Sequence, residues 1–357
     1  MRTCGYAPGH ASILGWFEEK EQVKGKDGRS TFETSDCPRT ILKRIVEDAR
    51  MAGVEFLVGI ETEFILLKST DPIEAVNDHS WSVSAALPTG SVEFVVMEEI
   101  ADALETSGIE LLMYHAEAAP GQYEVVTGPL PPLQAADALI TTRETIFNIA
   151  AKHGLRATMA PRVYSDNCGS AAHAHISVHP TADRATKPPL PNPDTNKSTT
   201  MTPLERSFVQ SLLEHLPTLA PFTLPTQASY ARVQDGVWSG GTYACWGREN
   251  REALVRLTGP QGSHHLEVRS LDGTATPHIA LAALLAAGML GVTSGRELEI
   301  AECEGMARDL SESQRKRMGI VGRMPRSLKE AREMLRNDKI IWDALGIEFV
   351  EKYLAVN

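Results

Sequence analysis

The chain has 357 residues, 42% hydrophobic and 23% charged, with a formal net charge of -11. This is more than a minimal domain and has an ordinary globular composition. The acidic balance excludes a nucleic-acid backbone as the main partner, because phosphates need clustered Lys and Arg. Five cysteines (Cys4, Cys37, Cys168, Cys245, Cys303), odd in number and without CxxC spacing, give no thiolate zinc site and fit a reducing, cytoplasmic compartment.

The opening residues lack an apolar run of signal-peptide length. Residues 11–17 read as a strand, and "KGKDGRS" (24–30) as a turn. A helix is predicted over 38–53, with Pro38 in its first turn and Gly53 at its end. Residues 54–67 carry a strand pattern, 95–107 a helix and 108–117 a strand. A long helical pattern covers 132–153 and stops at Gly154; 156–163 and 173–179 read as strands. The proline-rich, polar stretch 180–203 reads as an exposed loop, and a helix is predicted over 204–216. Residues 252–257 and 264–271 look like strands. Ile279–Val292 is the most apolar run; a bilayer span needs roughly 20 residues, so a buried helix is expected and no membrane partner. In the tail, Ser327 and Glu330 form a capping box ahead of an apolar face of Leu328, Ala331, Met334 and Leu335.

Residues two apart share a face of a strand. In "GIETEF" those are Glu61 and Glu63; in "AHAHISV", His173, His175 and Ser177; in "HHLEVRS", His265, Glu267 and Arg269. "YHAEAAPGQYEVV" adds Glu117 and Glu124. One such pair suits a solvent-facing strand. Recurrence on several strands describes a polar cleft, where converging carboxylates raise one another's pKa unless a cation is present. Oxygen-rich ligands with one imidazole suit Mg²⁺ or Mn²⁺ better than zinc.

Five segments, "GIETEF", "AEAAPGQYE", "CGSAAHAHIS", "RENREALVRL" and "HHLEVRSLDGTATP", occur in an order that resembles the signature segments of the glutamine synthetase catalytic domain. The resemblance runs from about Pro38 to about Leu354. It implies an α+β fold in which a curved, mainly antiparallel sheet lines a funnel with helices outside. Residues 1–37 would be a remnant of an N-terminal β-grasp region and linker, and 38–357 the catalytic domain. It further implies an ATP-dependent ligase that activates a carboxylate as an acyl phosphate and joins it to ammonia or an organic amine. Small-molecule substrates, glutamate or a similar acid among them, are then the expected partners. Glu63, Glu117 and Glu124 would hold one ion, and Glu61, His173 and Glu267 a second. Arg251 and Arg256 match the phosphate-facing arginines. Arg232 and Arg269 match those gripping the amino acid and the transferring group, so that Arg251, Arg269 and Glu124 stand as the catalytic set. The Gly169 backbone matches a substrate contact, and His175 and Ser177 the nucleotide side. Family members form stacked rings, and the resemblance leaves a homo-oligomer open.

The sequence departs from the family in four respects. Of the β-grasp domain, which supplies an amine-deprotonating aspartate to the neighbouring subunit, only a last strand is expected in this chain. Trp238 stands at the flap glutamate, where an indole suits a larger or alkylated amine rather than ammonium. Cys168 stands for an asparagine, and His265 for an arginine on the ATP side. The expected product is therefore a γ-glutamyl amide, of an organic amine more than glutamine itself. The alternative is a catalytically weak relative with a regulatory or assembly role.

Overall fold

The main sheet is organised around one 17-residue strand, Val54–Thr70, which alternates at its start, with Val54, Phe56 and Val58 buried and Glu55 and Leu57 exposed, and is buried on both faces over Thr62–Leu67. The computed structural model describes residues 1–25, 28–79, 86–183 and 200–356; most of the predicted loop 180–203 lies outside them. In chain order the strands are β1 (Arg2–Thr3), β2 (Ala11–Ser12), β3 (Glu18–Lys24), β4 (Ser30–Glu33), β5 (Val54–Thr70), β6 (Ile73–Ala75), β7 (Leu111–Ala116), β8 (Gln122–Leu130), β9 (Arg156–Thr158), β10 (Ala174–Pro180), β11 (Trp246–Arg248), β12 (Val255–Thr258) and β13 (His265–Val268). The helices are α1 (Pro38–Met51), α2 (Val92–Thr106), α3 (Pro132–Lys152), α4 (Pro203–Thr223), α5 (Pro277–Ser294), α6 (Glu312–Arg317), α7 (Leu328–Asn337), α8 (Lys339–Leu345) and α9 (Ile347–Val356).

The main sheet runs β11-β12-β13-β10-β5-β8-β7, with β6 and β9 also paired to β5. Every pairing is antiparallel except β11 with β12. This is the α+β class expected, and among the described residues the sheet stays open, with β7 and β11 at its edges. Residues before α1 form two separate two-stranded pairs, β1 with β2 and β3 with β4.

The helical side is closed by α5, whose residues from Pro277 to Met289 are all buried. By length and composition α5 is apolar enough to cross a membrane, but here it packs between α1 and α4. The approach of α4 is close because Gly288 and Gly291 have no side chain. A Cβ at Gly288 would stand 2.1 Å from the Phe208 ring, and one at Gly291 2.0 Å from the Ser207 carbonyl oxygen. The core continues through Ile41, Leu42, Val58, Ile60, Leu212 and Leu266.

Four elements differ from expectation, the first being the strand read over 11–17, of which only β2 (Ala11–Ser12) forms. α4 does not stop at 216 but continues through Pro217 and Pro221. A proline costs about 3 kcal/mol in a helix interior, whereas burying Leu216, Leu219 and Phe222 contributes about 1.5–3 kcal/mol each, so burial wins. β9 ends at Thr158 because the next position on β5 is taken, Glu63 N donating to the Ala171 carbonyl at 3.1 Å, while Ala160 N turns back to Thr158 Oγ1 at 3.1 Å and the Pro161 carbonyl accepts from Ser170 N at 2.9 Å. Residues 249–254 are not strand: Glu249 has φ +49° and Asn250 Nδ2 bonds the carbonyls of Cys303 (2.7 Å) and Gly305 (3.0 Å).

Candidate active site

The register of the strands gathers the polar faces. Glu63 lies directly across from Glu124, and His115 on β7 across from Glu124 on its other side. On the far flank, His175 and Arg256 both lie across from Glu267. Apart from Glu267, these side chains open into one cavity of about 310 Å³, which Gly169, Arg232, Trp238, Arg251, His265 and Arg269 also line. The opposite faces of the same strands, carrying Ile60, Phe64, Ala174, Leu266 and Val268, are buried in the core. Gly169 comes so close to Arg232 that a Cβ would stand 2.8 Å from its Cγ and 2.5 Å from the Pro161 oxygen.

Carboxylates dominate the centre. Glu63 Oε2 accepts from Gln122 Nε2 and from the Ala171 N–H, both at 3.0 Å. Burial, with the charges of Glu124 and Glu117 adding, pushes the Glu63 carboxyl well above its usual range. Burial likewise pushes Glu124 up to about 7, against the bond from His115, whose Nε2 lies 3.1 Å from Glu124 Oε1. That bond to Glu124 raises His115 to about 9. His173 Nδ1 lies 2.8 Å from Glu61 and 3.3 Å from Glu267, and His175 Nε2 lies 2.9 Å from Glu61. Burial opposes ionisation of Glu61, but these two imidazoles outweigh it and hold its carboxyl below the usual range. Burial, reinforced by Arg269, lowers His173 to about 4.

Three arginines stand behind these acids. Arg269 contacts Glu267 through Nη1 and donates from Nη2 to the Trp238 carbonyl at 2.7 Å. Arg256 bonds Glu267 at 2.8 Å and Glu249 at 2.6 Å. Arg232 is buried, which lowers its pKa, and donates to the Leu271 carbonyl at 3.4 Å. Arg251 is exposed at the rim.

Of the residues singled out in the sequence, the cavity brings together Glu61, Glu63, Glu117, Glu124, His173, His175, Gly169, Arg232, Trp238, Arg251, Arg256, His265 and Arg269, with Cys168. Glu267 lies just beneath, fully buried, within reach of His173 and both Arg256 and Arg269. Ser177 does not join them: it sits further along β10, 2.8 Å from His179 Nε2. Of the lining residues not singled out in the sequence, His115 and Gln122 bond the acids directly. Each lies two residues before a predicted ligand (Glu117, Glu124), so the same alternation marks them.

A divalent cation fits this donor set. Glu61, His173 and Glu267; Glu63, Glu124 and His173; and His115, Glu117 and Glu124 each present ligand atoms within 4.8 Å of one another. His173 Nε2 is buried without a hydrogen-bond partner. A hard cation would satisfy it and offset the mutual repulsion of Glu63 and Glu124. Both oxygens of Glu267 face arginines, so ligation there requires it to share them.

Comparison with known proteins agrees with this picture. The family described as "Glutamine synthetase, catalytic domain" matches residues 35–357. The chain is 38% identical over 355 residues to Protein fluG of Emericella nidulans, covering 97% of this chain but 37% of that protein. It is 32% identical to the gamma-glutamylpolyamine synthetase GlnA3 of Streptomyces coelicolor (90% of this chain, 68% of that one). It is 33% identical to the glutamine synthetase of Methanocaldococcus jannaschii (97% and 76%). Among solved structures, a glutamine synthase homolog superposes with TM-score 0.72 at 28% identity (94% and 72% covered). A GmaS/ADP complex, at 22% identity and TM-score 0.75 (100% and 84% covered), shares the fold.

Proposed function

The chain belongs to the glutamine synthetase family, and on that premise we propose that it is an ATP-dependent carboxylate–amine ligase forming a γ-glutamyl amide. The observation that carries this is the convergence of Glu61, Glu63, Glu117, Glu124, His173 and Glu267 with Arg232, Arg256 and Arg269 at one cavity.

In this reading Glu63, Glu117 and Glu124 would hold one Mg²⁺ or Mn²⁺, and Glu61, His173 and Glu267 a second. Bound there, the ions would neutralise the phosphate charge of ATP. Arg251 and Arg256 bind phosphate oxygens from the rim and the β12 side. Arg269 faces the transferring phosphoryl group, where charge shifts as the bond to ADP breaks and the bond to the carboxylate forms. Arg232 and the Gly169 backbone orient the acid. His175, His265 and, further out, Ser177 serve the nucleotide side. The amine nitrogen then attacks the acyl carbon, phosphate leaves with its bonding electrons, and the amine gives up a proton. Trp238, half-exposed at the cavity, suits an alkylated amine better than ammonium. Similarity to a protein named for polyamine glutamylation favours the same preference.

The test is incubation with ATP, Mg²⁺, glutamate and a panel of ammonia, monoamines and polyamines, with phosphate and amide both measured. Phosphate release dependent on acid and amine together is expected. Calorimetric binding of ATP–Mg²⁺ with no product from any amine would replace this reading by that of a weakly active relative with a regulatory or assembly role.

A further inference from the structure

The loop that carries Trp238 is held by a carboxylate that the proposed chemistry does not use. Glu252 is 9% exposed, and its two oxygens accept from two backbone N–H groups of this loop, Gly236 at 2.9 Å and Trp238 at 2.8 Å. The carbonyl of Trp238 is held in turn by Arg269 Nη2 at 2.7 Å. Both backbone polar groups of one residue are therefore gripped by side chains from elsewhere in the chain. That residue has φ +55°, in the left-handed region that a large aromatic residue rarely adopts.

The surroundings make the clamp stiff. Asp235 accepts from Thr242 N (2.8 Å) and Thr242 Oγ1 (2.9 Å), closing the loop at its base. Glu252 is itself presented by Asn250, whose Oδ1 accepts from the Glu252 N–H at 2.9 Å while its Nδ2 is tied to the Cys303 and Gly305 carbonyls. A free loop would let an indole with this backbone relax to a commoner conformation and swing off the cavity. With Glu252 and Arg269 opposed across the Trp238 peptide, the side chain stays as a wall of the cavity.

We infer that Glu252 is a positioning residue, which, opposite Arg269, fixes the Trp238 backbone so that the indole forms a rigid face for the alkyl portion of the amine substrate. The specificity half of this inference rests on the ligase reading; the clamp itself does not. Arg269 also touches Glu267, so the clamp links the indole wall to the acid cluster through one side chain.

Two measurements on the full chain test it. In hydrogen–deuterium exchange, Glu252→Ala should speed exchange of a peptide covering 234–242 by about tenfold or more and leave 279–292 unchanged, since the N–H groups lose their acceptor. Glu252→Gln, keeping one carbonyl acceptor, should fall between. Unchanged exchange in the loop of both variants would overturn the clamp. In steady-state assays, Glu252→Ala should raise KM for an alkylamine about tenfold, with KM for ATP and glutamate held within about twofold and discrimination against ammonia reduced. A uniform fall in kcat with all KM values unchanged would overturn the specificity role, because that pattern belongs to a general structural defect. A wild-type chain that makes no amide defeats the ligase reading, and the exchange measurement still decides the clamp.

Discussion

The two faces of β5 are built from neighbouring residues and act in opposite directions. Ile60 and Phe64 face the helical layers and are at most 2% exposed, while Glu61 and Glu63 face the cavity among other acids. Burying an apolar side chain of that size contributes about 1.5–3 kcal/mol. A buried carboxylate costs free energy unless it is paired or bound to a cation. The acid face is therefore an energetic liability held in place by the apolar one. α5 and α4 show what holding requires: glycines at 288 and 291, with a ring from Phe208 over the first and the small Ser207 and Ser211 over the second.

Four experiments would break or sharpen this contrast. The largest effect is expected from Phe208→Ala, which empties the space over Gly288 and should cost about 3–5 kcal/mol in urea unfolding. A cost below about 1 kcal/mol would show that this layer does not support the sheet. Glu63→Gln should change activity and stability with opposite signs. Turnover should fall by about 10²–10³-fold, while the metal-free chain at pH 8 gains stability by shedding a buried carboxylate and its repulsion from Glu124 and Glu117. Loss of both together would contradict the liability view.

A smaller effect, a few degrees in melting temperature, is expected from Mg²⁺ as a function of pH. The folded-state pKa of Glu124, about 7, lies above its ordinary 4.5. Its contribution to metal-free stability is thus fully present below about 4.5 and lost as the pH rises through about 7. Below that pH the carboxyl holds a proton that the cation must displace, so the stabilisation by Mg²⁺ should grow from pH 6 to pH 8. An equal shift at both values would remove Glu124 from the metal site. The smallest effect is expected on the β3–β4 hairpin, where every residue of β3 is exposed. Val23→Thr should stay within about 0.5 kcal/mol of wild type. A greater loss would reveal that this hairpin is covered in solution.

Much of the site could be read before the fold was known, for a simple reason. Side chains in strands alternate, so Glu61 with Glu63, and Glu267 with Arg269, declare a shared face from spacing alone. His115 and Gln122 obey the same rule, but only the fold brings them to Glu124 and Glu63. Glu252 was not legible at all: it leaves an irregular turn whose shape depends on Asn250 reaching the carbonyls of Cys303 and Gly305, more than fifty residues away. The passage of α4 through two prolines was likewise hidden, because local propensity argues against it and only burial among α5 and α7 reverses the sign.

Residue order alone settled which side chains turn toward the acid face and which toward the core, since a slip of one residue would exchange them. It left free any slip by two, which keeps every face intact but changes who meets whom. That Glu63 lies across from Glu124, and Glu267 across from both His175 and Arg256, is set by strand pairing over long separations and by the helices packed behind. Proximity in this site is thus a property of the assembled sheet, because hydrogen-bond register and core packing are satisfied together or not at all.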